Sequence, residues 1–537
     1  MDGASIQLNW NFEHHKFMVG ASIDAAKATY TNDQRFGMLD ASRNAFLAPD
    51  LIHPQFTAAT IPLNNNDFGG TNTTKSLYLS ETWTPVKNWN FNASARYNET
   101  QSQNNIATRY GFFAYGLGNL LNYPSGHDIC TSDEDCENTP TNFRSPLTRS
   151  NLDPAETEKF SYYSLNPSLG VTWQAKENLN VYSNVSQGTR TPSVIELGCA
   201  FDKTPAVVAS YDDNLDGVAD RFDYAAKSIA ENRQCSLPNT LSGDPFLKQI
   251  KATSYDIGMR GNFDNFLGGE NIQWNLGAYQ TDLKDDIYFV AIGNSQGLFD
   301  TIGKTRRRGI EAGVSGQFDK ISFSLNYGLT DATFEDNFIM LNEDNSSARF
   351  SQEYGSNVIE VKKGNRMPGV PLHNLNASLS YKMTEKWTVG LSAVMHSDSY
   401  VRGNENNQHR VGQVQNRLVT IQDENGTPQS VLVPRQVSTN PGVLPGYATF
   451  NFQTSYKLSP EWTASLFVNN LFDKEYFSAG RLGRNPFSPS IQGAIGPSGY
   501  NHNSNDWLST NFIAPGAPRG VWFSLNWQFD PNAKPSF

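Results

Sequence analysis

No apolar run in the chain reaches the roughly 18 residues that a membrane-crossing helix requires, so a helical membrane protein is excluded. Basic clusters are scarce as well. Only 42 Lys and Arg stand against 53 Asp and Glu, a net charge of −11, which leaves no cationic face for nucleic-acid phosphates. Cysteine is rare, four in 537 residues, and no CxxC pair offers zinc-type spacing. A nucleophile elbow, a phosphate-binding glycine loop and a paired-carboxylate motif are all lacking, so nothing points to an enzyme. Met1 is followed by DGASIQLNW, which has neither the basic nor the apolar region of an export signal.

Short-range alternation takes the place of long runs. Within 444–479, Ala448, Phe450, Phe452, Thr454, Tyr456 and Leu458 share one face, opposite Tyr447, Thr449, Asn451, Gln453 and Ser455. After a turn at Ser459-Pro460-Glu461, Trp462, Ala464, Leu466 and Val468 oppose Thr463, Ser465, Phe467 and Asn469. A period of two with one apolar side predicts a hairpin. The same reading predicts strand pairs at 4–12 with 16–30, 75–86 with 88–100, 157–175 with 178–190 and 249–262 with 271–292. Further pairs follow at 297–318 with 320–334, 372–383 with 386–402 and 445–458 with 460–480, then a last strand at 517–529, about fifteen in all.

Connections within pairs are a few residues long, whereas those between pairs cover 31–74, 101–156, 191–248, 335–371, 403–444 and 481–516. Compact soluble domains connect elements through about 4–6 residues. Short turns at one end and long, irregular loops at the other are the pattern of an outer-membrane barrel. Trp10, Trp83, Trp89, Trp173, Trp274, Trp387, Trp462 and Trp527 all lie near a short turn or the last strand's end, where an interfacial girdle belongs. Alternation alone also suits a soluble β-sandwich. Loop asymmetry and the Trp positions favour an all-β, transmembrane antiparallel β-barrel.

Particular segments carry a family resemblance. Leu444-Pro445-Gly446-Tyr447 before a strand and Asn469-Asn470-Leu471-Phe472-Asp473-Lys474-Glu475-Tyr476 after one are two of them. Tyr182 to Ser193 with Glu196-Leu197, Gly243 to Lys248, Tyr255-Asp256-Ile257-Gly258, Ala278 to Asp282, Gly309-Ile310-Glu311 and Pro515 to Arg519 continue the series in order. Together they resemble the TonB-dependent receptors, 22-stranded barrels of bacterial outer membranes. The resemblance covers the C-terminal part of that architecture, with 1–529 as a partial barrel and 530–537 as a tail; plug, TonB box and first strands are expected to be missing. Fifteen strands alone would present two unpaired edges, so closure of this segment by itself is not expected.

The resemblance implies a monomer in outer-membrane lipid of a Gram-negative bacterium, taking up a scarce solute with energy relayed by the TonB complex through the plug. Ferric siderophore is the default cargo, with cobalamin, oligosaccharide or another metal chelate as alternatives. Haem is disfavoured, because no His lies between Pro192 and Pro245. A passive porin or adhesion barrel is the rival function, and a secreted calcium-binding sandwich the rival class.

Three loop features point to binding or bracing. Asp212 to Asp223 fits D-x-N-x-D-G-x-x-D-x-x-D, with Asp212, Asn214, Asp216, the Val218 carbonyl, Asp220 and Asp223 as calcium ligands; an Asp/Asn-rich turn without an ion is the plainer alternative. Cys199 with Cys235 would brace that loop, and Cys130 with Cys136 would close an acidic one, both as disulfides. Tyr110, Phe112, Phe113 and Tyr115 form an aromatic stretch suited to a flat ligand, and Arg190 is a further candidate contact. Arg306-Arg307-Arg308 could meet an anion or anchor the strand at the interface.

Overall fold

The computed structural model describes residues 2–34, 38–40, 42–46, 63–108, 156–198, 205–211, 219, 221–226, 247–266, 268–293, 296–351, 356–422, 428–436, 441–489, 501 and 507–528. Fifteen strands make one antiparallel sheet in strict sequence order. They are β1 (Asp2–Asn11), β2 (His15–Gln34), β3 (Leu63–Val86), β4 (Trp89–Thr108), β5 (Glu156–Lys176), β6 (Leu179–Arg190), β7 (Ile250–Phe266) and β8 (Gly269–Lys284). Then come β9 (Thr305–Phe318), β10 (Ile321–Phe334), β11 (His373–Lys382), β12 (Trp387–His396), β13 (Tyr447–Lys457), β14 (Trp462–Asn469) and β15 (Gly520–Trp527). Every connection inside a pair is a short turn at one end of the sheet, and every connection between pairs is long and lies at the other end.

Directly opposed residues of antiparallel neighbours share a face, so one strand's alternation propagates across the sheet. Leu325 faces Val314 and Ala377, and Leu391 faces Leu379 and Phe452. The result is an inside-out sheet: Leu77 is 64 % and Phe523 71 % exposed on its apolar side. The short-turn end of that side carries the aromatics, with Trp89 stacked on Trp173 at 5.4 Å and Trp462 against Trp527 at 6.3 Å. Toward the other end, the apolar series Ile321, Phe323, Leu325, Tyr327, Leu329 stops at Asp331, which binds Arg308 at 3.0 Å. Eight residues at about 3.3 Å each, tilted about 40°, give an apolar band roughly 20 Å tall, close to that of membrane barrels.

Several boundaries depart from the sequence reading, including 297–318, which begins at Thr305, and 386–402, which ends at His396. β3 begins at Leu63 rather than at 75, and β4 runs on to Thr108. Those extra stretches are polar on both faces, so they leave no lipid-type alternation to read. The strand placed at 271–292 ends at Lys284, and Ile287–Gly293 pairs with Gln296–Thr301 as a separate hairpin. Asp285 breaks the strand with φ of 57°, and the Asp286 carboxylate accepts from the Ile287 N–H and from Thr305 Oγ1. The strand placed at 460–480 stops at Asn469, because Asn470 and Asp473 both adopt positive φ.

The long connections are also not structureless. Phe338–Leu341, Arg349–Ser351 and Ser356–Val361 make a three-stranded sheet, while Val414–Gln422 with Pro428–Gln436 and Phe477–Asn485 with Leu508–Pro515 make hairpins. The three-stranded sheet packs with the Ile287–Thr301 hairpin into a cap with an interior of its own. Phe334, Ile359 and Val361 are buried there with Val290, Ile302, Met340 and Met367.

Candidate functional site at the inner wall and the mouth

The face opposite the apolar band is lined by amides and hydroxyls, many of them hydrogen-bonded across the strands. Ser76 donates to Asn98 at 2.8 Å, Thr82 to Asn92 at 2.8 Å and Ser168 to Asn184 at 3.1 Å. Arg96 and Arg260 stand in this wall. Arg96 donates to Ser22, Ser76 and Asn98 and lies over the Tyr78 ring at 5.2 Å. Arg260 donates to Asn180 at 3.2 Å and lies over Tyr182 at 5.8 Å. Tyr78 and Tyr182 can lie flat because Gly20 and Gly258 are beneath them, where a Cβ would come within 2.3 Å and 2.5 Å of the rings. A cavity of about 470 Å³ opens on this wall, lined by Asn180, Arg260, Asn262, Asn275 and Asn326 among others. The larger concavity, about 920 Å³, is mostly on the apolar face between Trp83, Phe91, Leu169 and Ile257.

At the mouth, a short helix, Val194–Gly198, packs on the inner face. Ser193 and Glu196 form a capping box: Ser193 N donates to Glu196 Oε2 at 2.7 Å, and Glu196 N donates to Ser193 Oγ at 3.2 Å. Arg190, at the end of β6, clamps the same carboxylate through both Nη atoms at 2.7 and 2.8 Å. Burial would raise the Glu196 pKa, but the hydrogen bonds from Arg190 and Ser193 outweigh it and hold the carboxyl below its usual range. Leu197, fully buried, then seats against Leu247, Ile250 and Ile287. Val194 sits over Gly70, where a Cβ would come within 2.1 Å. The geometry thus gives Arg190 a bracing partner.

Farther round the mouth, the inward-facing rings of Tyr447 and Tyr476 lie 4.4 Å apart, with His396 5.1 Å from Tyr447. Asn470 holds this corner by donating to the carbonyls of Lys474 and Ala517, while Asp473 accepts from Arg519 N at 2.8 Å. The Asn469 to Tyr476 and Pro515 to Arg519 segments, far apart in sequence, are therefore two halves of one clasp. Sequence reasoning did not find this pairing, or the inward aromatic cluster. The arginine triplet makes cross-strand pairs: Arg306 binds Asp282 at 2.6 Å and Arg308 binds Asp331.

Of the other expected site residues, Tyr110, Phe112, Phe113, Tyr115, Cys130, Cys136, Cys199 and Cys235 lie outside the described residues, as do Asp212, Asn214, Asp216, Val218 and Asp220. Asp223 is described, in Arg221–Ala226, where its Oδ2 accepts from Tyr211 at 2.9 Å.

A family model described as TonB dependent receptor-like, beta-barrel, matches residues 2–471. The chain belongs to the TonB-dependent receptor family. Members of that family are outer-membrane proteins of Gram-negative bacteria, not enzymes. Among solved structures, the chain is similar to the siderophore receptor PiuA from Acinetobacter baumannii, with a TM-score of 0.52 and 14 % identity over 98 % of this chain and 55 % of that one. It is also similar to the closed form of the ferric-catecholate import receptor Fiu from E. coli, with a TM-score of 0.55 and 16 % identity over 98 % and 54 %. A third is the ferric yersiniabactin uptake receptor FyuA from Yersinia pestis, with a TM-score of 0.52 and 12 % identity over 98 % and 54 %. The receptor chain thus spans about half the length of these structures, and at such identities the likeness is one of fold. No curated protein matches.

Proposed function

We propose that the receptor takes up a scarce, bulky solute across the outer membrane, with energy supplied by the TonB complex, and that the solute is a ferric siderophore. The observation that carries this reading is the division of the wall: an apolar band outside, an amide-lined, arginine-bearing face inside, and a packed cap at the long-connection end. An inner wall rich in hydrogen-bonding groups suits a large polar chelate, and the Tyr447–Tyr476 cluster at the mouth offers flat surface to an aromatic iron-binding group. Tyr110, Phe112, Phe113 and Tyr115 are proposed as further ligand contacts, with Arg190 shaping the mouth through Glu196.

Uptake of iron-55 chelates by cells that depend on this receptor tests the reading. Saturable uptake that stops when TonB is deleted supports it. TonB-independent flux of small sugars, with ohmic conductance in planar bilayers, would make it a passive porin instead. Calcium at Asp212 to Asp223 remains a proposal from the ligand pattern. Terbium luminescence from the loop, lost on Asp216→Asn, is its expected signature.

A further inference from the structure

The cap contains a buried acid that no step of solute uptake requires. Glu405 lies in the connection between β12 and β13 and has no solvent exposure. Its Oε1 accepts from Tyr288 Oη and from Gly403 N, each at 3.1 Å. Its Oε2 is buried and accepts no hydrogen bond. Tyr288 belongs to the hairpin Ile287–Thr301, whose ring packs edge-on to Phe334 at 5.6 Å in the cap's interior. The carboxyl therefore joins two connections that are 117 residues apart in sequence.

The charges around it do not neutralise it. Arg402, three residues earlier, turns its guanidinium over the rings of Tyr288 and Phe289, at 5.4 and 5.3 Å, and donates to the Phe289 carbonyl at 3.0 Å. Among the described residues no cation lies within ion-pair distance of Glu405. From the hairpin side the titratable group is Tyr288, itself burdened by the Asp286 charge, and the positive charge of Arg402 favours the ionised carboxyl without outweighing its burial. On Glu405's own segment, His409 is buried and its Nδ1 accepts from Ser346 N at 3.0 Å, while Arg410 donates through its main chain to Ser346 Oγ. An ionised carboxylate with one oxygen unsolvated and unpaired is costly, whereas the neutral acid is tolerated.

We propose that Glu405 is a proton-controlled latch: protonated, it holds the segment 399–410 against the strand Ile287–Gly293, and on losing its proton it releases that segment from the cap. The direction follows from linkage. Burial raises the Glu405 pKa in the closed cap. A released, solvated Glu405 returns to the ordinary carboxylate value, so the closed form binds the proton more tightly. Closure is strongest below that ordinary value and weakens as pH rises through the raised one. One proton is involved, so the closing equilibrium falls by at most about tenfold per pH unit in that window.

Hydrogen exchange of the receptor in bilayer nanodiscs across pH tests this, with protection factors corrected for intrinsic exchange. Protection at 399–410 and 287–290 is expected to fall with rising pH, while that of β11 and β12 stays level. Glu405→Gln, which keeps the acceptor for Tyr288 and Gly403 but carries no charge, should abolish the pH dependence. Tyr288→Phe should lower protection yet keep the dependence. A wild-type cap whose protection does not change with pH overturns the latch, as does a Glu405→Gln variant with the wild-type slope; the wild-type measurement stands even if the variant fails to fold.

Discussion

The wall and the cap of this receptor solve opposite problems with the same twenty side chains. In the wall, Leu325 and Leu391 are 40 % and 42 % exposed on the apolar side, and the amides of Asn98, Asn184 and Asn326 face inward. In the cap, Phe334 and Val361 have no exposure, and buried polar residues such as Asn345, Asn404 and His409 are hydrogen-bonded, whereas one oxygen of buried Glu405 is not. A strand can present apolar residues outward only where hydrocarbon replaces water. The cap stands in water and must build an ordinary interior. The change occurs within single strands: β10 carries Leu325 in the band, Asp331 at its edge and Phe334 in the cap.

That comparison breaks most sharply at Phe334. Truncation to Ala in a close-packed interior costs about 3–5 kcal/mol, regardless of what surrounds the barrel. Amide protection at 338–341 and 356–361 should collapse in Phe334→Ala, while β4, β5 and β6 keep theirs. If those wall strands loosen as much as the cap, the two regions are one cooperative unit and the division is false.

At Leu325 the opposite substitution is the informative one. Arginine near the middle of the band is expected to cost about 2–4 kcal/mol of folding stability in lipid. Leu325→Ala should cost less, because acyl chains fill the space that a protein interior would leave empty. Denaturant-driven unfolding from phospholipid vesicles measures both. Should Leu325→Ala prove worse than Leu325→Arg, the face would be packed against protein.

The wall was legible in the sequence because a period of two survives wherever one face meets lipid. Ile321 to Leu329 and Val521 to Trp527 announce themselves in this way. The pattern fades once a strand leaves the band: Asn64 to Asp67 and Gln101 to Asn105 are polar throughout, and only cross-strand register reveals them as strand. In the cap, Asp285, Asn470 and Asp473 end strands through positive φ, which Asn and Asp tolerate but do not require, so sequence placed the boundaries too late. Glu405 had no signal at all, being one acid in the polar run Asn404 to Arg410. The quoted family segments were visible as words, but their reason is spatial. Arg190 and Glu196 are six residues apart and clamp one helix, whereas Asp473 and Arg519 meet only when the mouth is assembled.

Glu196 offers the smallest effect and the finest test, since it is the mirror of Glu405. Its folded pKa is depressed, so its contribution is present above the ordinary carboxylate value and is lost as pH falls through the folded one. Arg190 is half exposed, which screens the pair. With the cap included, the contribution is about 1–2 kcal/mol. Amides of 194–198 should therefore lose protection in acid, under the conditions in which 399–410 become most protected. Glu196→Gln should be acid-insensitive and uniformly weaker. Were both segments to loosen in acid, the unpaired surroundings assigned to Glu405 would be wrong, because only a carboxyl held ionised by its partners fails in that direction.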